Sequence, residues 1–249
     1  MNAAEGALGG LRRGAEALLL AFALTGCFGN NATPFPDGLE PWEEPNEAVR
    51  APATATDPCP ETLTFANRRW IDPASGRNVL SVHARACIQA PVAEVFQAAR
   101  DPQTGRDPTT TQAFRVVAYD TETAYRWSYQ THVTANTTFA VTPEFDLMWR
   151  HDVVEGTEQQ PLVTATRWQK TFGSDLLEVI EGSLVLGPAV EGADFTEVQY
   201  QYHLAAPTSN HQTVQDYLTV IFGRLRDRAH GVALSPDDCD GCPSAPSGY

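Results

Sequence analysis

Histidines and cysteines are the residues of this chain best equipped for chemistry, and their spacing says which chemistry to expect. Of six histidines, His83, His132 and His203 fall on the polar parity of strand-like runs. His211 stands near the start of a helical run and His230 at its end, where a protonated imidazole suits the helix dipole. Only His151 shares a strand face with apolar residues, the usual setting of a hydrogen-bonded core histidine. No His-x-x-x-His pair or comparable ligand cluster occurs, so no metal site is expected. Gly182-Ser183-Leu184 lies inside a strand-like run and lacks the strand-to-helix turn that exposes a nucleophilic serine. No catalytic residue and no cofactor follow from these patterns. His151 and Glu181 are the two side chains to consider if acid–base chemistry occurs in an interior cavity.

Charge narrows the partners. The chain carries 17 basic against 31 acidic residues, a net charge of −14, and Lys170 is its single lysine. The arginines are scattered. Nucleic acid needs a basic stripe to neutralise phosphates, and none exists. Polybasic docking to anionic lipid is excluded for the same reason.

Leu18 to Gly29 reads LLLAFALTGCFG. Arg12 and Arg13 precede an apolar run from Ala17 to Leu24. Crossing a bilayer takes about 20 apolar residues, so this run is too short to span and suits the apolar region of a signal peptide. Leu24-Thr25-Gly26-Cys27 resembles a bacterial lipobox: an aliphatic residue, a small residue, Gly or Ala, then Cys. The resemblance implies that the Cys27 sulfur receives a diacylglycerol, that residues 1–26 are removed, and that a lipid anchor ties the chain to a membrane. Phe28 follows the cysteine. By similarity to enterobacterial lipoproteins, whose inner-membrane retention uses Asp there, that points to the outer membrane, facing periplasm or exterior.

The other four cysteines, Cys59, Cys87, Cys239 and Cys242, are an even set in an exported chain, which is the setting of disulfides. Cys239-Asp-Gly-Cys242 has acidic neighbours and no helix behind it, unlike a redox pair whose thiol is acidified by a helix N-terminus. A zinc knuckle would need more ligands. Structural bridges are expected, either Cys59–Cys87 with Cys239–Cys242, or Cys59 joined to a tail cysteine.

Between Phe28 and Pro60 stand Pro34, Pro36, Pro41, Pro45, Pro52, Pro58 and Pro60. Without a periodic apolar face, residues 27–61 are expected to be a disordered, semi-rigid tether, with Phe35 and Trp42 exposed or loosely docked. A folded domain is expected over 62–231 and an acidic, cysteine-containing tail over 232–249. Residues 79–90 alternate as a half-buried strand does, and PVAEVFQAARD is a short helix opened by Pro91. Strand-like runs follow at 114–120, 124–134, 137–153, 162–172, 176–186 and 195–204. Pro143 predicts a bulge, bend or edge position. The final run, from Ser209 or Asn210 to Gly231, has helical spacing, with a cap at its start, arginines at its end and Gly231 to stop it. Gly223 weakens that helix or permits close approach of the sheet.

A strand, a short helix, six consecutive antiparallel strands and one long helix is an order similar to the START-like helix-grip superfamily (SRPBCC). The phrases IQAPVAEVFQAARDP, LEVIEGSLVLGPAVEGADFTEVQYQYHL and DYLTVIFGRLRDRAHG resemble its first strand and helix, its penultimate hairpin and its gripping helix. The resemblance covers 79–231 and implies an α+β fold, with a curved seven-stranded antiparallel sheet wrapped around the C-terminal helix. The stretch 102–113 departs from the pattern and lacks the family's second short helix, which shapes the cavity mouth. The family's cavity would take a hydrophobic small molecule or lipid. Trp127, Tyr129, Phe139, Trp149, His151, Trp168, Tyr200, Tyr202, Ile221 and Phe222 are the candidates to line it, or else to fill the core. A ligand-free envelope scaffold and a cyclase- or hydratase-type enzyme are the alternatives. The superfamily supplies no universal catalytic residue.

Overall fold

A computed structural model of the chain describes residues 35–43, 45–50, 54, 59–72, 76–136, 142–190, 192–207 and 209–234. Eight strands form one antiparallel sheet: β1 (Thr64–Ile71), β2 (Asn78–Ile88), β3 (Thr111–Tyr119), β4 (Trp127–Ala135), β5 (Glu144–Gly156), β6 (Pro161–Gly173), β7 (Val179–Pro188) and β8 (Thr196–Ala205). Helix α1 (Val92–Arg100) follows β2, and helix α2 (His211–Ala229) closes the described chain. The order across the sheet is β1-β2-β8-β7-β6-β5-β4-β3. This is the α+β helix-grip architecture, a curved sheet around a C-terminal helix.

The sheet has eight strands where seven were expected. The additional one, β1, has an exposed run at Asn67, Arg68 and Arg69 and pairs only with β2. An edge strand with so little buried surface carries no alternating signal. Pro143 lies just ahead of β5, and its carbonyl accepts a hydrogen bond from Ala135 N at 2.9 Å. Register shifts between Asp146 and Leu147, and between Val153 and Glu155, mark bulges that bend β5 and β6.

Helix α2 begins at Asn210, whose side chain accepts from Thr213 N at 3.0 Å. It ends before Gly231 at φ 75°, the left-handed conformation that glycine adopts without strain. Val214, Leu218, Ile221, Phe222, Leu225 and Ala229 form its buried stripe. A Cβ at Gly223 would meet nothing within 4 Å. Gly223 therefore admits no close approach of the sheet, and its only consequence is lower helix propensity.

In place of a second short helix, a single 3-10 turn spans Pro102–Gly105, with the Asp101 side chain accepting from Gln103 N at 3.0 Å. The concave face of the sheet, α1 and α2 enclose the main core.

The convex face holds a finding that differs from the expected tether. Residues 35–50 include a strap that lies against it. Leu39 is fully buried in a second cluster with Val154, Val163, Ala165 and Val185, with Phe35 and Tyr125 beside it. Arg167 stacks on Trp42, its guanidinium 3.7 Å from the ring centroid. Asn46 Nδ2 donates to Tyr200 O at 3.0 Å and to Ala84 O at 3.4 Å. Outward valines and an alanine in adjacent strands make an apolar patch that Leu39 covers. Composition alone, rich in proline and acid, hides one buried leucine and its polar neighbours. Cys59 and Cys87 are joined by a disulfide. Cys27, Cys239 and Cys242 lie outside the described residues.

Candidate functional site

The core divides into two halves. Toward α1 it is filled. Phe96 meets Trp127 edge-on at 5.4 Å, and Tyr129, Trp149 and Trp168 stack in succession at 5.8 and 5.2 Å. Trp168 lies so close to the backbone of Gly182, its partner in register, that a Cβ there would run into the indole. Toward the N-terminus of α2 the sheet and helix stand apart and leave a cavity of about 420 Å³.

Its walls come from the ends of several elements. β3, β4 and β5 supply Phe114, Val133, Phe145, Leu147 and Trp149. β7 and β8 supply Ile180, Tyr202 and Leu204, and α2 supplies Val214 and Tyr217. The 105–111 loop and Asn136 form a polar lip, faced by Ser209 and Thr213. Asp107 is buried in that lip, its carboxylate accepting from Thr109 N (2.8 Å), Thr109 Oγ1 (2.6 Å) and Thr110 Oγ1 (2.9 Å). These bonds organise the loop and leave an interior that is mainly apolar, the usual character of a small-molecule site.

Two aromatic hydroxyls accompany the apolar walls. Tyr217 Oη donates to Gly105 O at 3.0 Å, tying α2 to the lip. Tyr202 is 7% exposed, its ring 5.2 Å from Tyr217 and 6.0 Å from Trp168. Burial pushes the Tyr202 phenol well above its ordinary value, and the Tyr217 phenol likewise. Both remain neutral.

Of the ten residues expected at a cavity, Trp149 and Tyr202 line this one. Trp127, Tyr129, His151, Trp168, Tyr200, Ile221 and Phe222 do not; all are buried, and they occupy the filled half or the helix contact. Phe139 lies outside the described residues. Strand parity groups Trp127, Tyr129, Trp149, Tyr200 and Tyr202 on inward faces and helical spacing does so for Ile221, but neither carries information about distance along the sheet axis. Phe114, Ile180 and Tyr217 also line the cavity, and their parity or helical position marks them as inward; Leu177 lines it from the bend before β7, where no periodic signal exists.

His151 is a core residue. It is fully buried and stacked on Tyr129 at 5.3 Å, with Nδ1 2.9 Å from Thr166 Oγ1. Burial, with a further contribution from the nearby charge of Arg100, pushes it down to about 3. A neutral imidazole of that acidity is a weak base. Glu181 is not in the cavity at all. Its carboxylate accepts from His203 Nδ1 at 3.0 Å on the convex face.

That convex face carries a buried polar cluster. His203 Nε2 reaches Glu43 Oε1 at 2.8 Å, so the ring lies between two carboxylates. Ser81 Oγ donates to Glu43 Oε1 at 2.6 Å, and Arg68 pairs with Glu43 Oε2 at 2.8 Å. Glu47 N donates to His83 Nδ1 at 2.9 Å, which leaves the His83 proton on Nε2, facing Glu43 at 3.5 Å. His83 and His203 do lie on the polar parity of their strands, yet both are buried, because the strap covers them. Among the described residues no group of three or more His, Cys, Asp or Glu side chains is placed to hold a metal ion. None of their helices is long and apolar enough to cross a membrane.

No family model and no curated protein matches the chain. Among solved structures it is similar to the lipid transfer and protein localization domain of human StarD13, at 12% identity over 73% of this chain and 88% of that one, TM-score 0.47. It is also similar to the protein TTHA0849 from Thermus thermophilus, at 16% identity over 62% and 99%, TM-score 0.43. A third is the Zhui aromatase/cyclase from a Streptomyces species, at 9% identity over 61% and 94%, TM-score 0.43.

Proposed function

We propose that the chain is a lipid-anchored protein of the bacterial cell envelope, at the outer membrane. Its START-like helix-grip domain holds a hydrophobic small molecule or lipid between sheet and C-terminal helix. The observation that carries the binding role is the cavity of about 420 Å³ with predominantly apolar walls. Water there gains little from such walls, and a ligand that buries about 200 Å² of apolar surface gains roughly 5 kcal/mol before association costs. The anchor rests on Leu24-Thr25-Gly26-Cys27. The Cys59–Cys87 disulfide supports an oxidising compartment.

Native mass spectrometry of the chain purified from its membrane tests the binding role. A co-purified apolar mass, or uptake of an added naphthalene derivative, is expected. A chain that carries nothing and takes up nothing overturns it. Metabolic labelling with an alkynyl fatty acid tests the anchor. Label is expected on the native chain and absent from Cys27→Ser, and an unlabelled native chain removes the anchor from the proposal.

A further inference from the structure

Tyr202 bears a polar atom that the fold does not satisfy. Its ring is held between Trp168 and Tyr217, the residue is 7% exposed, and it lines the cavity. No residue among those described accepts from its hydroxyl. Because the side chain borders the cavity, an acceptor placed there can take the bond that no described protein group takes. The adjoining Tyr217 hydroxyl has already given its proton to Gly105 O and keeps lone pairs that can accept.

The charges around the cavity complete the argument. Among the described residues, Arg106 and Asp107 are the only charged side chains that line it. Asp107 is saturated by Thr109 and Thr110. Arg106 stays cationic, 5.9 Å from the centroid of the Phe114 ring. Both belong to the lip. The interior between Leu147, Ile180 and Val214 offers an ionised group no counter-charge, and burying an unpaired charge is far costlier than burying a neutral oxygen. The volume lies toward the lower part of the roughly 300–1,000 Å³ range of small-molecule sites.

We propose that the cavity selects a compact, uncharged, largely apolar molecule with one hydroxyl or carbonyl oxygen, which accepts a hydrogen bond from Tyr202 Oη. A carboxylate or phosphate placed in that interior is discriminated against. This inference rests on the ligand-binding reading above and specifies its ligand class.

Three probes with one ring system test it on the full chain: 6-propionyl-2-dimethylaminonaphthalene, a neutral ketone; 2-ethylnaphthalene, a hydrocarbon; and 8-anilinonaphthalene-1-sulfonate, an anion. The ketone and the hydrocarbon are expected to bind and the sulfonate at least about tenfold more weakly than the ketone. Tyr202→Phe is expected to weaken the ketone about tenfold, the worth of one neutral hydrogen bond, and to leave the hydrocarbon unchanged. The carbonyl stretch of the bound ketone should lie at lower wavenumber in the native chain than in a hydrocarbon solvent, a readout that needs no variant. An unshifted stretch, a ketone affinity indifferent to Tyr202→Phe in a folded variant, equal losses for ketone and hydrocarbon, or a sulfonate bound as tightly as the ketone each overturn the assignment. If both neutral probes bind without these signatures, the cavity reading stands and only the ligand class falls. If neither binds, both fall.

Discussion

Gly105 sits against the indole of Trp149 so closely that a Cβ on it would stand 2.7 Å from Cη2. This contact seats the lip of the cavity on its floor, because the Gly105 carbonyl also accepts from Tyr217 on α2. Gly105→Ala should displace the lip or the indole. The expected cost is about 1–3 kcal/mol, that of overpacking a fitted site, with weaker ketone binding and altered tryptophan emission. Denaturant unfolding and probe titration measure both, and an unchanged unfolding midpoint contradicts the contact.

The strap should respond to pH through Glu43 and His203. Burial by itself would raise the Glu43 carboxyl, but bonds from His203, His83 and Ser81 outweigh it and hold the group well below the usual carboxylate range. Burial would lower His203, and its bonds to Glu181 and Glu43 outweigh that and raise it above 6.5. The Glu43 contribution is present above about 4.5 and lost as pH falls through its depressed folded value; the His203 contribution is complete below 6.5 and lost as pH rises through its raised one. Strap stability should therefore peak between these reference values and decline toward alkaline pH. Hydrogen exchange at the Glu43 and Glu47 amides, corrected for intrinsic base catalysis, reads it. His203→Gln should flatten the alkaline decline; an equally steep profile in that variant would refute the assignment.

Cys59–Cys87 closes a loop of sequence separation 28, for which loop-closure entropy assigns about 3–4 kcal/mol. Arg50, at the end of the strap, lies 3.9 Å from each sulfur and pairs with Glu197 at 3.3 Å. Reduction should lower the unfolding midpoint and loosen the strap's far end together. A midpoint insensitive to reductant contradicts this.

Gly223→Ala should stabilise α2. The site has open space for a methyl group, and alanine is favoured over glycine in a helix by roughly 0.8–1 kcal/mol. A raised midpoint of thermal unfolding is the expected result, and a lowered one would mean that the backbone there is packed after all.

Much of this protein is legible residue by residue. Alternation at 79–90 and in the later strands marks the two faces of the sheet, because side chains on a strand alternate with period two. The spacing of Val214, Leu218, Ile221 and Leu225 marks the face of α2. Asn210 and Gly231 mark its ends, because cap and stop depend on local backbone chemistry. The single lysine and scattered arginines offer no basic stripe, a property read from charge alone.

Tertiary structure decides what local chemistry does not reach. Trp127 and Trp149 share the same inward parity, yet one is packed beneath α1 and the other floors a cavity, since packing depends on how far α2 stands from the sheet at each point. His203 looks solvent-facing from its strand, and becomes buried only because Glu43, 160 positions away, crosses over it. Parity is a property of one strand, but occupancy and burial are properties of everything that approaches it.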